Sequence, residues 1–146
     1  MEDFVKSALA NNSDKKEKDE VDRIKIVVIG VGGGGNNTVN RLRRLDVKGA
    51  ELIACNTDRQ HLNMLDESIT KLLIGKSVTR GLGAGGFPEV GMKCAEVDRA
   101  EIERLLSGTH LVFLCAGMGG GTGTGAAPVI AEIAKEQGAI VIAMVT

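Results

Sequence analysis

The sequence has no tryptophan and no tyrosine, and only three phenylalanines. The aromatic platforms on which single-stranded bases stack are therefore missing. Neither charge dominates: 18 Lys and Arg stand against 19 Asp and Glu, which leaves no positive field to gather nucleic acid or an anionic bilayer. No stretch is apolar for the roughly 20 residues that a membrane-spanning helix requires. The opening MEDFVKSALANNSDKK lacks the basic start and apolar centre of a secretory leader. Nucleic-acid binding and membrane insertion are not expected, and the setting expected is cytoplasmic. Cysteine is scarce as well: Cys55, Cys94 and Cys115 are far apart, and two of them sit inside the apolar runs LIACN and LVFLCA. Cysteine in such runs behaves as a small hydrophobe, so neither a metal site nor a redox pair is expected.

Glycine, by contrast, is abundant, at 20 of 146 residues, in a chain whose 43% apolar content is enough for one compact core. Residues 1–22 read as a charged, mobile tail, because NNSDKKEKDEVD has almost nothing to bury. Phe4, Val5, Ala8 and Leu9 have helical spacing and could dock on the domain or a partner. From Ile24 the composition changes abruptly to IKIVVI, a β-branched run ended by glycine, as a buried parallel strand should be.

Strands and helices then alternate. A glycine loop runs over 30–37 and a helix over 37–45; strands are predicted at 51–56 and 71–74, with a short helix at 58–65 between them. A long glycine loop covers 75–88. Beyond Pro88 the pattern is helical to about Leu106, with Asp98 placed to cap its second half. A strand at 110–116, a loop at 117–123, a helix from about Thr124 to Gln137 and a strand at 139–145 complete the chain. Pro128 is expected in the first turn of that last helix and Gly138 as its C-terminal cap. This alternation predicts an α/β fold: a doubly wound parallel sheet with helices on both faces, three layers in all. Since Thr146 follows directly on an apolar strand, where such folds begin a functional loop, the sequence is expected to be the first part of something longer.

The glycine runs carry the chemistry. Gly30-Val31-Gly32-Gly33-Gly34-Gly35 joins a strand to a helix, where free N-H groups and the positive end of the helix dipole suit an anion. On its own, Gly30-x-Gly32-x-x-Gly35 also satisfies the dinucleotide fingerprint G-x-G-x-x-G, which leaves an NAD- or FAD-dependent oxidoreductase as an alternative. The neutral Asn56 weighs against it, since an acid is expected there for the ribose. A second run, Gly117 to Gly125, again leads into a helix, and a third, Gly81 to Gly86, follows the third strand. Two cradles facing one crevice suit a polyphosphate. No lysine completes a G-x-x-x-x-G-K-[ST] loop, so backbone N-H groups, helix dipoles, the hydroxyls of Thr122 and Thr124, and a magnesium ion brought with the nucleotide would balance the charge.

GGGTGTG at 119–125 is the signature of the tubulin superfamily. IGVGGGGNN, the NTD at 56–58 and TRGLGAGGFPEVG at 79–91 resemble its FtsZ branch, the prokaryotic cell-division GTPases. The resemblance covers Ile24 to Thr146. It implies a GTP/GDP site in which Gly33, Gly34, Gly35, Asn36 and Asn37 line the nucleotide and Gly121, Thr122 and Gly123 cradle its phosphates. It further places Ala84, Gly85 and Gly86 at the terminal phosphate and Asn56 beside the nucleotide. At Asn36 many members continue the glycine run; asparagine tolerates left-handed backbone angles, so the loop's geometry should survive. The family's guanine contacts, its central helix and its water-activating acidic loop fall after Thr146, and that loop acts on a neighbouring subunit. The resemblance thus implies self-association into filaments, accessory division proteins, a place at the division site, and hydrolysis only in the assembled full-length parent. No residue of this chain is assigned a catalytic role. Asp46, Asp58, Asp66 and Glu67 read as solvated or capping carboxylates, and His61 and His110 as poorly placed for a base. A module that binds nucleotide without turnover is the third reading.

Overall fold

A computed structural model describes residues 1–8 and 24–146. Most of the charged tail expected over 1–22 lies outside the described residues, as does Leu9. Residues 2–8 form a helical segment whose side chains, Phe4 and Val5 among them, are exposed.

The ordered chain runs β1 (Ile26–Val31), α1 (Gly32–Arg44), β2 (Glu51–Asn56), α2 (Arg59–Asn63), β3 (Thr70–Leu73), α3 (Lys76–Thr79), α4 (Pro88–Val97), α5 (Arg99–Leu106), β4 (Leu111–Ala116), α6 (Thr122–Glu136) and β5 (Ile140–Val145). The five strands form one sheet in the order β3-β2-β1-β4-β5, and every pairing is parallel. Side chains alternate across it, as the period of a strand requires. Val27, Ile29 and Val31 of β1 join Ile53, Cys55, Val112 and Leu114 beneath α4, α5 and α6, which supply Cys94, Ile102, Leu106, Ile130 and Ile133. Val28, Ala54 and Cys115 face the other way, onto Val39 of α1 and Leu62 of α2. The predicted doubly wound, three-layer fold is therefore the observed one. All three cysteines are free and buried, and burial raises each thiol's pKa.

The first glycine run is not a loop. α1 starts at Gly32, directly after β1, with Val31 as an extended N-cap whose side chain makes no capping bond. Close approach explains this better than propensity. A Cβ on Gly35 would stand 2.0 Å from the Cys115 carbonyl oxygen, and one on Gly30 would stand 2.5 Å from that of Gly35. The first turn of α1 is thus pressed against the ends of β1 and β4, and contact with the sheet overrides glycine's poor helix propensity.

Similar corrections hold elsewhere. α6 begins at Thr122 and not near Thr124, which places Pro128 in the second turn rather than the first; Pro128 is exposed, and lacking an N-H it cannot donate to the carbonyl four residues earlier. The stretch 75–88 contains the short helix α3. The chain does break between α4 and α5 at Asp98, but that side chain does not cap α5. Its carboxylate accepts the N-H of Gly75, 23 residues earlier.

Candidate functional site

In a sheet of this order the connections leave β1 and β4 on opposite faces, and a crevice opens between them at their C-terminal ends. The cleft found there has a volume of about 530 Å³. One wall is the start of α1 (Gly32, Gly33, Gly34) and another the start of α6 with its preceding loop (Gly117, Met118, Gly120 to Gly123). Leu82 to Gly86 close the third side, and Asn56, Thr57, Asp58 and His61 stand at the end of β2.

Two helix starts thus point free N-H groups into one space. Among the described residues no lysine or arginine lines it, and its charged or titratable members are Asp58 and His61. Positive potential comes instead from the helix ends, a geometry that suits an anion.

Glycine is required here by distance. A Cβ on Gly123 would stand 2.4 Å from the carbonyl oxygen of Gly117, and one on Gly121 would stand 2.8 Å from the Phe87 nitrogen. The loops around the cleft are folded onto one another's backbones.

Of the positions singled out from sequence, Gly33, Gly34, Asn56, Ala84, Gly85, Gly86, Gly121, Thr122 and Gly123 meet at this cleft. Gly35, Asn36 and Asn37 do not line it. Gly35 is buried against β4, and Asn37 is exposed away from the cleft. Asn36 is fully buried, and its Nδ2 donates to the Cys55 carbonyl at 3.0 Å. It is helical, with no left-handed angle to tolerate, and it fastens α1 to β2. Its Oδ1 has no partner among the described residues.

The threonine hydroxyls also differ from expectation. Thr122 Oγ1 lies 2.7 Å from Thr57 Oγ1, and both residues are buried. Thr124 Oγ1 accepts the N-H of Gly119 at 2.9 Å, so it shapes the loop and does not line the cleft.

Sequence reasoning passed over Thr57 and weighed His61 only as a base; both line the cleft. Thr57 is fully buried; its carbonyl accepts the N-H of Gly83 at 3.1 Å and the Thr79 hydroxyl at 3.4 Å, while its hydroxyl meets Thr122. It therefore ties two walls of the cleft together. The available signal was the NTD triplet at the end of a central strand, where the first residue drew attention away from the second. Asp58 caps α2 by accepting the His61 N-H at 3.1 Å, as a capping carboxylate should, and it lines the cleft as well.

A doubly wound parallel sheet whose switch-point cleft is walled by two glycine-rich helix starts defines the class of phosphate-binding α/β nucleotide domains. The sequence profile described as Tubulin/FtsZ family, GTPase domain, matches residues 25–146, and the chain belongs to that family. It is 55% identical over 144 residues to cell division protein FtsZ 2 of Methanocaldococcus jannaschii, covering 98% of this chain and 38% of that protein. FtsZ 2 of Halobacterium salinarum is 52% identical over 153 residues, covering 100% and 39%. Among solved structures, an empty FtsZ dimer from M. jannaschii superposes with a TM-score of 0.82 at 45% identity, over 91% of this chain and 39% of that one. A GTPγS-bound protofilament of CetZ2 from Haloferax volcanii does so with a TM-score of 0.72 at 32% identity, over 84% and 39%. The chain spans less than two fifths of the length of these relatives. The oxidoreductase alternative finds no support among them.

Proposed function

We propose that the cleft binds GTP and GDP by their phosphates, and that this chain is the nucleotide-binding part of a GTPase that assembles into filaments for cell division. The observation that carries the reading is the convergence of the α1 and α6 starts on one cleft with no cationic side chain among the described residues of its walls. Such a site holds charge by backbone N-H groups. Gly33 and Gly34 face the nucleotide from one side, Gly121, Thr122 and Gly123 cradle its phosphates from the other, and Ala84, Gly85 and Gly86 approach the terminal phosphate.

Magnesium fits as a companion of the nucleotide. Among the described residues no cluster of three or more His, Cys, Asp or Glu could hold a metal alone, but Asp58 lines the cleft. One carboxylate together with substrate phosphates is a common magnesium environment. The ion would neutralise charge on the phosphates when bound.

The family relation supports hydrolysis in an assembled, longer protein. The cleft brings positioning groups and no evident base for water, and positioning without an activated nucleophile leaves most of the barrier standing. Turnover by this chain alone is not expected. The protofilament and dimer among its relatives support self-association, and the relatives' name, cell division protein, supports a role in division; accessory division proteins and a place at the division site belong to the same proposal. No helix among the described residues is long and apolar enough to cross a membrane, and a cytoplasmic location fits this reading.

Calorimetric titration of the chain with GTP, ATP and NAD, magnesium present, tests the proposal. Preference for GTP is expected. Equal or tighter binding of NAD would return the case to the oxidoreductase.

A further inference from the structure

His61 stands in the cleft with one ring nitrogen committed and the other free. Asn56 Oδ1 accepts the N-H groups of Thr57 at 2.8 Å and Asp58 at 3.3 Å. These two donors fix the orientation of the Asn56 amide, because only its oxygen can accept. The Asn56 Nδ2 is then the atom that meets His61 Nδ1 at 3.4 Å, and an amide nitrogen can only donate. Nδ1 of the neutral ring is therefore the acceptor, and the ring proton sits on Nε2.

The backbone sets the direction of that proton. Asp58 accepts the His61 N-H and anchors the first turn of α2. Nε2 lies 3.7 Å from the point where a Cβ on Gly33 would stand, in the first turn of α1. Among the described residues it has no hydrogen-bond partner. A side-chain donor and the free N-H groups of a helix start thus converge on one corner of the cleft, and an acceptor with several lone pairs matches both.

We propose that His61, with its Nδ1 held toward Asn56, donates a hydrogen bond from Nε2-H to a phosphate oxygen of the nucleotide seated on the α1 start. The inference rests on the nucleotide reading above and adds a contact from a side chain. Asn56 thereby acquires a specific role, since the residue beside the nucleotide orients the residue that touches it.

Two substitutions separate the contact from mere packing. His61→Phe keeps a planar ring and removes the donor; His61→Gln places an amide N-H near the position of Nε2. GDP affinity of the 146-residue chain, measured by calorimetry with magnesium, should fall about tenfold or more in His61→Phe, the loss of one hydrogen bond to a charged group. It should return to within about threefold of the unmutated value in His61→Gln, the variation expected when the donor survives with altered geometry. Nitrogen-15 shifts of the His61 ring should show Nδ1 unprotonated and Nε2 protonated. Unchanged GDP affinity in a folded His61→Phe chain, or a proton found on Nδ1, would overturn the contact while leaving the nucleotide reading intact. No GDP binding by the unmutated chain would instead overturn the nucleotide reading, and this contact with it.

Discussion

Gly34 and Gly35 are neighbours in α1 with opposite requirements. A Cβ on Gly34 would meet its nearest atom at 3.4 Å, an ordinary contact, whereas one on Gly35 would stand 2.0 Å from the Cys115 carbonyl oxygen. Gly34→Ala should change stability by less than about 1 kcal/mol, since alanine's better helix propensity offsets slight crowding. Gly35→Ala should cost about 3 kcal/mol or more, because neither helix nor strand can retreat without opening the core. Urea denaturation of the two variants measures the difference; similar midpoints would mean that α1 does not sit as close to β4 as described. The cysteines allow a second residue-scale prediction. Desolvation raises the Cys55 thiol pKa most, and the nearby Asp98 carboxylate raises it further. A raised folded pKa means that the native state favours the neutral thiol. Its contribution to stability is complete below the unfolded value, near 8.5, and declines as pH rises above it. Native protein at pH 8 should react with a thiol reagent only as fast as it unfolds. Rapid labelling of Cys55 in folded protein would contradict its burial.

At the scale of elements, the strands were legible because short apolar runs bounded by glycines or polar turns leave few alternatives, and their parallel pairing follows from alternation with helices, whereas the order β3-β2-β1-β4-β5 comes from the structure. Helix starts were not legible. A reading by propensity begins α1 at Asn37 and α6 near Thr124, yet both begin earlier, because Gly35, Gly123 and Gly125 answer close approach to other backbones, and Gly32 turns the chain into α1 through a positive φ of 75°. A Cβ on Gly125 would stand 1.9 Å from the Pro88 carbonyl oxygen, which is where α4 meets α6. No window of local sequence contains that distance. Asp98 teaches the same lesson: its position at a helix junction suggests a cap, while its carboxylate in fact holds Gly75 at the head of the segment that runs to Gly86. Asp98→Ala should lower stability by about 1–2 kcal/mol and speed hydrogen exchange at the Gly75 amide. Unaltered exchange there would show that the loop is held by other contacts. Asn36 and Thr57 were opaque for a related reason, since their partners lie on elements distant in sequence.

The whole molecule brings the glycine segments to one edge of the sheet, so most of the candidate site was readable once the strand order was known. What sequence could not separate was lining from support. Gly33 and Gly34 face the cleft while Gly35 and Asn36 hold the wall that carries them, and all four stand in one unbroken run. β5, at the sheet's edge, leaves Ile140, Ile142 and Met144 exposed on the face that α1 covers further in. The central claim concerns what the cleft recognises: backbone donors at two helix starts should bind phosphates, and the nucleoside should add less. Titrating the chain with guanosine, GMP, GDP and GTP in the presence of magnesium tests this most directly. Affinity should climb with each phosphate from guanosine to GDP, by roughly tenfold for a step that adds one charge-assisted hydrogen bond. Guanosine binding as tightly as GDP would contradict the account, because the two glycine cradles would then be contributing nothing.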